Sequence, residues 1–392
     1  MEKKILIDCT LTGGRGPAKK AAEFIWECQR RSINYFLLTD LKLAERFKEL
    51  DIKPDQVLNI DFNSADKEIY SVFEKNLRLI DFDLLVKFGA RVPGPYVARA
   101  LGKPYIIIDG GLPDRLEQYP SLYDSETYFN AEKYILTTNF PWKPDLTPRF
   151  TNVKVCYFPI SKKTQKFVNL LKTKKKSQII RSVSKMLTNF PKKYDLVINL
   201  SMTDDYVQYK SRTTYGAWLK TKQYDQTVGF IRRLITDLAL IDDKKKVIIM
   251  DSAISQIALD LYGEFRNIYP VTWKNKWDYY TEIALDRIAD FTISRAANYQ
   301  PFIYALSQGT NITTPVPADG YMNEDSAAIQ ASALGLTKLI TYDDSDYVQK
   351  AGEFFNNSSE IKAVARKQET NMNVFGKKSG TIEEIISYFE CI

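Results

Sequence analysis

Short apolar runs without polar alternation recur along this chain, each separated from the next by a stretch of helical spacing. In the first half the runs are Ile5–Cys9, Tyr35–Leu38, Val57–Ile60, Leu84–Phe88 and Tyr105–Ile108. Between them Ala18, Ala21, Ala22, Ile25 and Trp26 fall on one helical face, and segments 41–50, 69–80 and 95–101 also read as helices. A strand that is apolar on both sides must be covered on both faces, so the pattern predicts parallel sheets sandwiched by helices. Phe140–Pro148, with three prolines, reads as a break. A second series follows, with strands at 196–200, 247–250, 268–273, 291–294 and 312–315. Its helices fall at 228–240, 254–261, 279–289, 301–308, 324–334, 346–355, 361–370 and 382–391. The fold class expected is α/β, with two Rossmann-like doubly wound domains facing a cleft. The boundaries read as 1–160 for the first domain, 161–193 for a helical linker and 194–375 for the second domain. A closing helix within 376–392 is expected to pack back on the first domain.

None of the 392 residues is histidine. A Ser-His-Asp or Cys-His nucleophile is therefore excluded, as are the usual His-containing zinc sites. No metal site and no cofactor is expected. Proton transfer near pH 7 falls to a carboxylate, Lys, Tyr or Cys with a displaced pKa. The four cysteines, Cys9, Cys28, Cys156 and Cys391, are widely spaced, which reads as a reduced cytoplasmic chain. No apolar run approaches the length of a membrane span.

The formal net charge of +7 is unevenly placed. Eleven basic residues and no acidic one lie between Lys162 and Lys193, leaving the rest of the chain at −4. Apolar residues at 167, 170, 171, 179, 180, 183, 186 and 187 have helical spacing there, interrupted by Lys174–Lys176. A solvated linker explains such a segment. The functional alternative is attachment to an anionic membrane surface, with Phe167, Leu170 and Leu171 dipping in. Nucleic acid ranks behind the membrane, because no nucleic-acid-binding motif accompanies the lysines.

Three segments could carry chemistry. Thr12-Gly13-Gly14-Arg15-Gly16-Pro17 lies between a strand and a helix, where glycines let backbone N–H groups approach an anion. A tight turn with no ligand explains the same residues equally well. Tyr105–Asp114 runs a strand out into Asp109-Gly110-Gly111-Leu112-Pro113-Asp114. Carboxylates just past a strand's carboxyl end sit where open sheets place catalytic groups, making Asp109 and Asp114 the candidates for a general base. Asp before Gly is also ordinary turn chemistry. In the third segment a strand ends in Ser294-Arg295-Ala296-Ala297, and Pro301 suits the first turn of a helix. Such a helix N-terminus beside Arg295 would suit a diphosphate.

In order along the chain stand Gly13-Gly14-x-Gly16, then Ala98, Leu101-Gly102-Lys103-Pro104, and Ala289-Asp290 leading into Ile293-Ser294-Arg295-Ala296. Ala305-Leu306-x-x-Gly309 and Pro315, Asp319 and Asn323 complete the series. This order resembles the GT-B glycosyltransferases, in particular the branch of the peptidoglycan lipid-intermediate N-acetylglucosaminyltransferase and the monogalactosyldiacylglycerol synthases. The resemblance implies a nucleotide-sugar donor in the second domain and an acceptor of unread identity in the first. Ser294 and Arg295 would lie by the nucleotide, Asp319 and Asn323 near the donor sugar, and Gly13, Gly14, Arg15 and Gly16 by the diphosphate and acceptor.

The chain departs from that pattern at Ala297, where the family has glycine, and at Tyr304, where it has the ribose-binding carboxylate. Pro301, Gly309-Thr310-Asn311 and Gly320 depart as well. The function implied is transfer of a sugar to a hydroxyl, without metal and with inversion. Hydrolysis or epimerisation of the nucleotide sugar is the alternative enzyme reading. A non-catalytic GT-B-like subunit is the alternative outside enzymes.

Overall fold

The computed structural model describes residues 3–12, 15–60, 64–111, 116, 121–146, 148–201, 222–250, 264–272, 279–294, 311–313, 324–339, 350, 353–354, 356–375 and 380–392. The chain forms two compact units. One holds Met1–Gln165 together with Phe375–Ile392, and the other holds most of Lys166–Val374.

The first unit carries seven described strands: β1 Ile5–Cys9, β2 Tyr35–Asp40, β3 Gln56–Leu58, β4 Leu84–Phe88, β5 Tyr105–Asp109, β6 Lys133–Thr138 and β7 Val153–Tyr157. They form one sheet in the order β3-β2-β1-β4-β5-β6-β7. Every described pairing is parallel. The direction of winding reverses between β1 and β4, the position at which open sheets of this kind bind ligands.

Crossover helices follow the strands: α1 Arg15–Arg30, α2 Leu41–Glu49, α3 Asp66–Leu77, α4 Pro93–Ala100 and α5 Ser125–Phe129. Asp40 caps α2 by accepting from Leu43 N, and Pro93 occupies the first turn of α4. β1, β4 and β5 are buried along their whole lengths, as unalternating runs require.

β6 and β7 depart from the sequence reading, which named neither. β6 reads KYILTT, with an apolar run of only three residues, and its two threonines serve as β-branched strand residues on a buried strand.

α6 Lys162–Thr173 and α7 Lys176–Val183 carry most of the basic segment, separated at Lys175, whose backbone is extended. Ten of the eleven basic residues are exposed. Val168, Leu171, Ile179, Val183 and Leu187 are at most 4% exposed, and the Phe167 ring meets Tyr280 edge-on at 4.8 Å. Of Phe167, Leu170 and Leu171, the residues expected to dip into a bilayer, Leu171 is buried in the protein and Phe167 is half-buried. Burying that face in protein stabilises the helices, and of those three residues only Leu170 stays exposed, at 48%. Among the described residues no helix is long and apolar enough to cross a membrane.

The second unit has β8 Leu196–Ser201, β9 Lys246–Met250, β10 Ile268–Val271, β11 Phe291–Ser294, β12 Asn311–Thr313 and β13 Lys338–Leu339. They are parallel, in the order β10-β9-β8-β11-β12-β13, with the reversal between β8 and β11. Described helices are α8 Lys222–Ile241, α9 Tyr279–Ile288, α10 Glu324–Ala333 and α11 Ser358–Phe375. The helices read at 254–261 and 301–308 lie outside the described residues, as does most of 346–355.

The last helix, α12 Thr381–Cys391, belongs to the first unit. Gly380 bridges to Tyr157 beside β7, and Thr381 Oγ1 donates to the Tyr157 carbonyl at 3.1 Å. Ile382, Ile385 and Ile386 are buried, and Glu384 pairs with both Lys133 and Lys154.

Candidate functional site

At the switch point of the first sheet, charge sits where the sequence reads as apolar strand. Asp8 on β1 and Lys87 on β4 are both fully buried, with Lys87 Nζ 3.2 Å from Asp8 Oδ1. Lys87 also donates to the Thr10 carbonyl at 2.7 Å and to Thr10 Oγ1 at 3.3 Å. Thr10 Oγ1 in turn donates to Asp8 Oδ1 at 2.7 Å. Burial pushes Asp8 above the usual carboxylate range despite the lysine beside it.

Asp40, at the end of β2, accepts from Leu11 N at 2.7 Å through the oxygen that does not cap α2. Leu11 has φ +50°, a left-handed conformation disfavoured for a side chain of its kind. The network thus pins the turn from which the chain enters residues 12–16. Gly89, with φ +108°, ends β4 directly against this turn, since a Cβ there would lie 2.6 Å from Thr12 Cγ2.

Next in the sheet, β5 delivers Asp109 at its carboxyl end, 7% exposed. Its Oδ1 accepts the Gly110 N–H at 2.7 Å, while Oδ2 is buried with no hydrogen-bond partner. Burial raises the Asp109 carboxyl to about 6, against the pull of the Gly110 N–H and then of Lys20 and Lys87. Lys20, from α1, is lowered to about 8 by burial. Its ammonium donates to Thr137 Oγ1 at the end of β6. A carboxylate of raised basicity with one bare oxygen is the chemical character of a proton acceptor working near neutral pH.

Gly13, Gly14 and Asp114 lie outside the described residues. Arg15 opens α1. Gly16 follows it, and a Cβ there would meet open space, so packing does not demand its glycine.

In the second unit Ser294 ends β11 at the second switch point, in register with Ser201 of β8 and Thr313 of β12. Arg295, Ala297, Tyr304, Asp319 and Asn323 lie outside the described residues. Asp290, the residue before β11, is committed to the fold: its Oδ2 accepts from Val197 N at 2.8 Å and its Oδ1 pairs with Lys176. Among the described residues no group of three His, Cys, Asp or Glu side chains is placed to hold a metal.

Lys20, Thr137, Asp8, Lys87 and Asp40 are site residues that sequence reasoning did not single out. A lysine inside LLVKF and an aspartate inside ILIDC were the visible signals, being charges in otherwise apolar strands.

No protein-family model and no curated protein matches this sequence. Solved structures do match it end to end. MurG of Acinetobacter baumannii aligns over 100% of both chains at 12% identity, with a TM-score of 0.58. The UDP-GlcNAc 2-epimerase of Neisseria meningitidis, solved bound to UDP-GlcNAc, aligns over 100% of both at 13% identity and 0.63. The spinosyn forosaminyltransferase SpnP aligns over 100% of this chain and 99% of its own at 11% identity and 0.62. The chain has the GT-B fold these proteins share.

Proposed function

We propose that this GT-B chain acts on a nucleotide sugar, transferring the sugar to a hydroxyl acceptor with inversion. The observation that carries the reading is Asp109: a buried carboxylate at the carboxyl end of a central strand, raised to about 6, with one oxygen unpartnered. In the reaction proposed, Asp109 takes the acceptor hydroxyl's proton as that oxygen bonds to the anomeric carbon. The bond from that carbon to the diphosphate breaks, and the diphosphate leaves with the electron pair. Asp114 is the second candidate base. Backbone N–H groups at Gly13, Gly14 and Gly16 and the Arg295 guanidinium would hold the departing charge. Ser294, Asp319 and Asn323 would contact the donor. Tyr304 would stack on it in place of the family's carboxylate, beside Ala297. The reading calls for no metal and no cofactor.

Screening UDP-, dTDP- and GDP-sugars by thermal shift and turnover tests this. A ligand at a hundred times its Kd adds about 2.7 kcal/mol to stability. Stabilisation by one donor, lost in Arg295→Ala, supports the site; no response to any nucleotide sugar overturns it and favours a non-catalytic subunit.

A second reading is epimerisation or hydrolysis of the nucleotide sugar, favoured by the end-to-end similarity to a 2-epimerase. Release of an epimer or of free sugar without any acceptor would select it. For the basic face, the partner we propose is an anionic lipid surface held mainly by charge, because most of the neighbouring apolar residues are turned inward, Leu170 excepted.

A further inference from the structure

Among the described buried carboxylates of the first unit, Asp109 and Asp8 each have a second oxygen without a hydrogen-bond partner, but Asp8 holds Lys87 and Thr10 on its other oxygen. Asp40 uses both of its oxygens on backbone N–H groups. Asp109 Oδ2 has neither a donor nor water-facing surface. Against that burial, the ionised form is favoured by the Gly110 N–H on Oδ1 and by nearby cations.

Two cations act on it, Lys20 from α1 and Lys87 from β4. Lys87 is taken up by Asp8 and Thr10, within a fully buried pair. Lys20 is the other cation acting on Asp109, and Asp109 in turn acts on Lys20. From β6 the facing groups are Thr137 and Tyr134, whose hydroxyl donates to the Gly111 carbonyl at 3.2 Å.

Thr137 fixes where the ammonium sits. Its hydroxyl has a single proton, donated to the Asp109 carbonyl at 2.8 Å. Its lone pairs therefore face Lys20, which donates to them. One hydroxyl thus ties the helix that follows residues 13 and 14 to the strand end that carries the carboxylate.

We propose that Lys20 is the positioning residue for Asp109, its ammonium seated on Thr137 so that the carboxylate stays ionised with Oδ2 open to accept a proton. The functional consequence rests on Asp109 as the proton acceptor; the pairing itself does not. A neutral pair of one donor and one acceptor also fits an uncharged hydroxyl rather than a phosphate or carboxylate at this strand end.

The test reads Asp109 directly and needs no substrate. The protein is labelled with carboxyl-carbon-13 aspartate, the Asp109 signal is assigned with Asp109→Asn, and its midpoint is followed by NMR. In Lys20→Met the midpoint is expected to rise by roughly one pH unit or more. Lys20→Arg restores it, and Thr137→Val raises it by less. An unchanged midpoint in folded Lys20→Met overturns the proposal. If that variant does not fold, Thr137→Val decides: an upward shift supports the proposal, and none overturns it. With a donor in hand, the acid limb of the rate profile should move with the midpoint while donor KM stays constant. Should the midpoint move but Asp109→Asn keep full turnover, the pairing stands and the reading of Asp109 as base falls.

Discussion

Asp109 and the Asp8–Lys87 pair make separable demands on experiment. Asp109→Asn is expected to lower turnover by about 10²- to 10⁴-fold, the range for losing a general base. Its melting temperature should change little, because the cheaper burial of a neutral amide is offset by the loss of the carboxylate that acts on Lys20. Steady-state kinetics beside a thermal melt will check both. Lys87→Met should cost about 3–5 kcal/mol, since it strands Asp8 as an uncompensated buried charge. Adding Asp8→Leu to the same protein should recover much of that loss in urea denaturation. Strictly additive costs would show that the two charges do not support each other. Asp109 was legible in the sequence because a carboxylate that follows YIII marks the end of a strand. Lys20 was not, since helical spacing tells only which face a residue occupies. Its seat, Thr137, is 117 positions away and meets it only through the fold.

The elements were read most securely where both faces are buried. β1, β4 and β5 are buried along their whole lengths, so their runs lack polar interruption apart from Asp8, Lys87 and Asp109. β7 was missed because its burial is confined to its last residues, which leaves VKVCY short of a pattern. At this scale Gly89→Ala should destabilise by about 1–3 kcal/mol, combining a left-handed backbone with a Cβ 2.6 Å from Thr12. A chemical melt will measure it, and a neutral outcome would show that the turn can yield.

α12 supplies a pH dependence. Although its burial pushes the other way, hydrogen bonds from Lys154 and Lys133 pull the Glu384 carboxyl down to about 2. A depressed carboxylate stabilises the folded state fully above its unfolded value, near 4.5, and the gain is lost as pH falls toward 2. Glu384→Gln should therefore cost roughly 1–2 kcal/mol at pH 7. The difference from the parent should shrink as pH drops through that window, and a constant difference would place the cause elsewhere.

For the whole molecule, a body of net charge −4 carries a strip with eleven basic residues and no acidic one. Attachment through that strip should be mainly electrostatic, because most of its apolar neighbours are turned inward and Leu170 is the one left exposed. Sedimentation with anionic vesicles is expected at low salt and should fall steeply near physiological ionic strength, where screening acts over about 8 Å. Neutral vesicles should not bind, and salt-insensitive binding would contradict the inward-facing apolar residues. The two-unit plan was legible because the alternating series begins twice. The donor segment's departures from the family pattern carry no backbone periodicity that would say what replaces them.

The return of α12 to the first unit also has a consequence for biosynthesis. β6 and β7, which carry Lys133 and Lys154, leave the ribosome long before Glu384, and the second unit is made in between. At ordinary elongation rates that interval is of order ten to forty seconds. Throughout it the apolar patch awaiting Ile382, Ile385 and Ile386 stands open on the nascent first unit, the stage at which a chaperone would have most to cover.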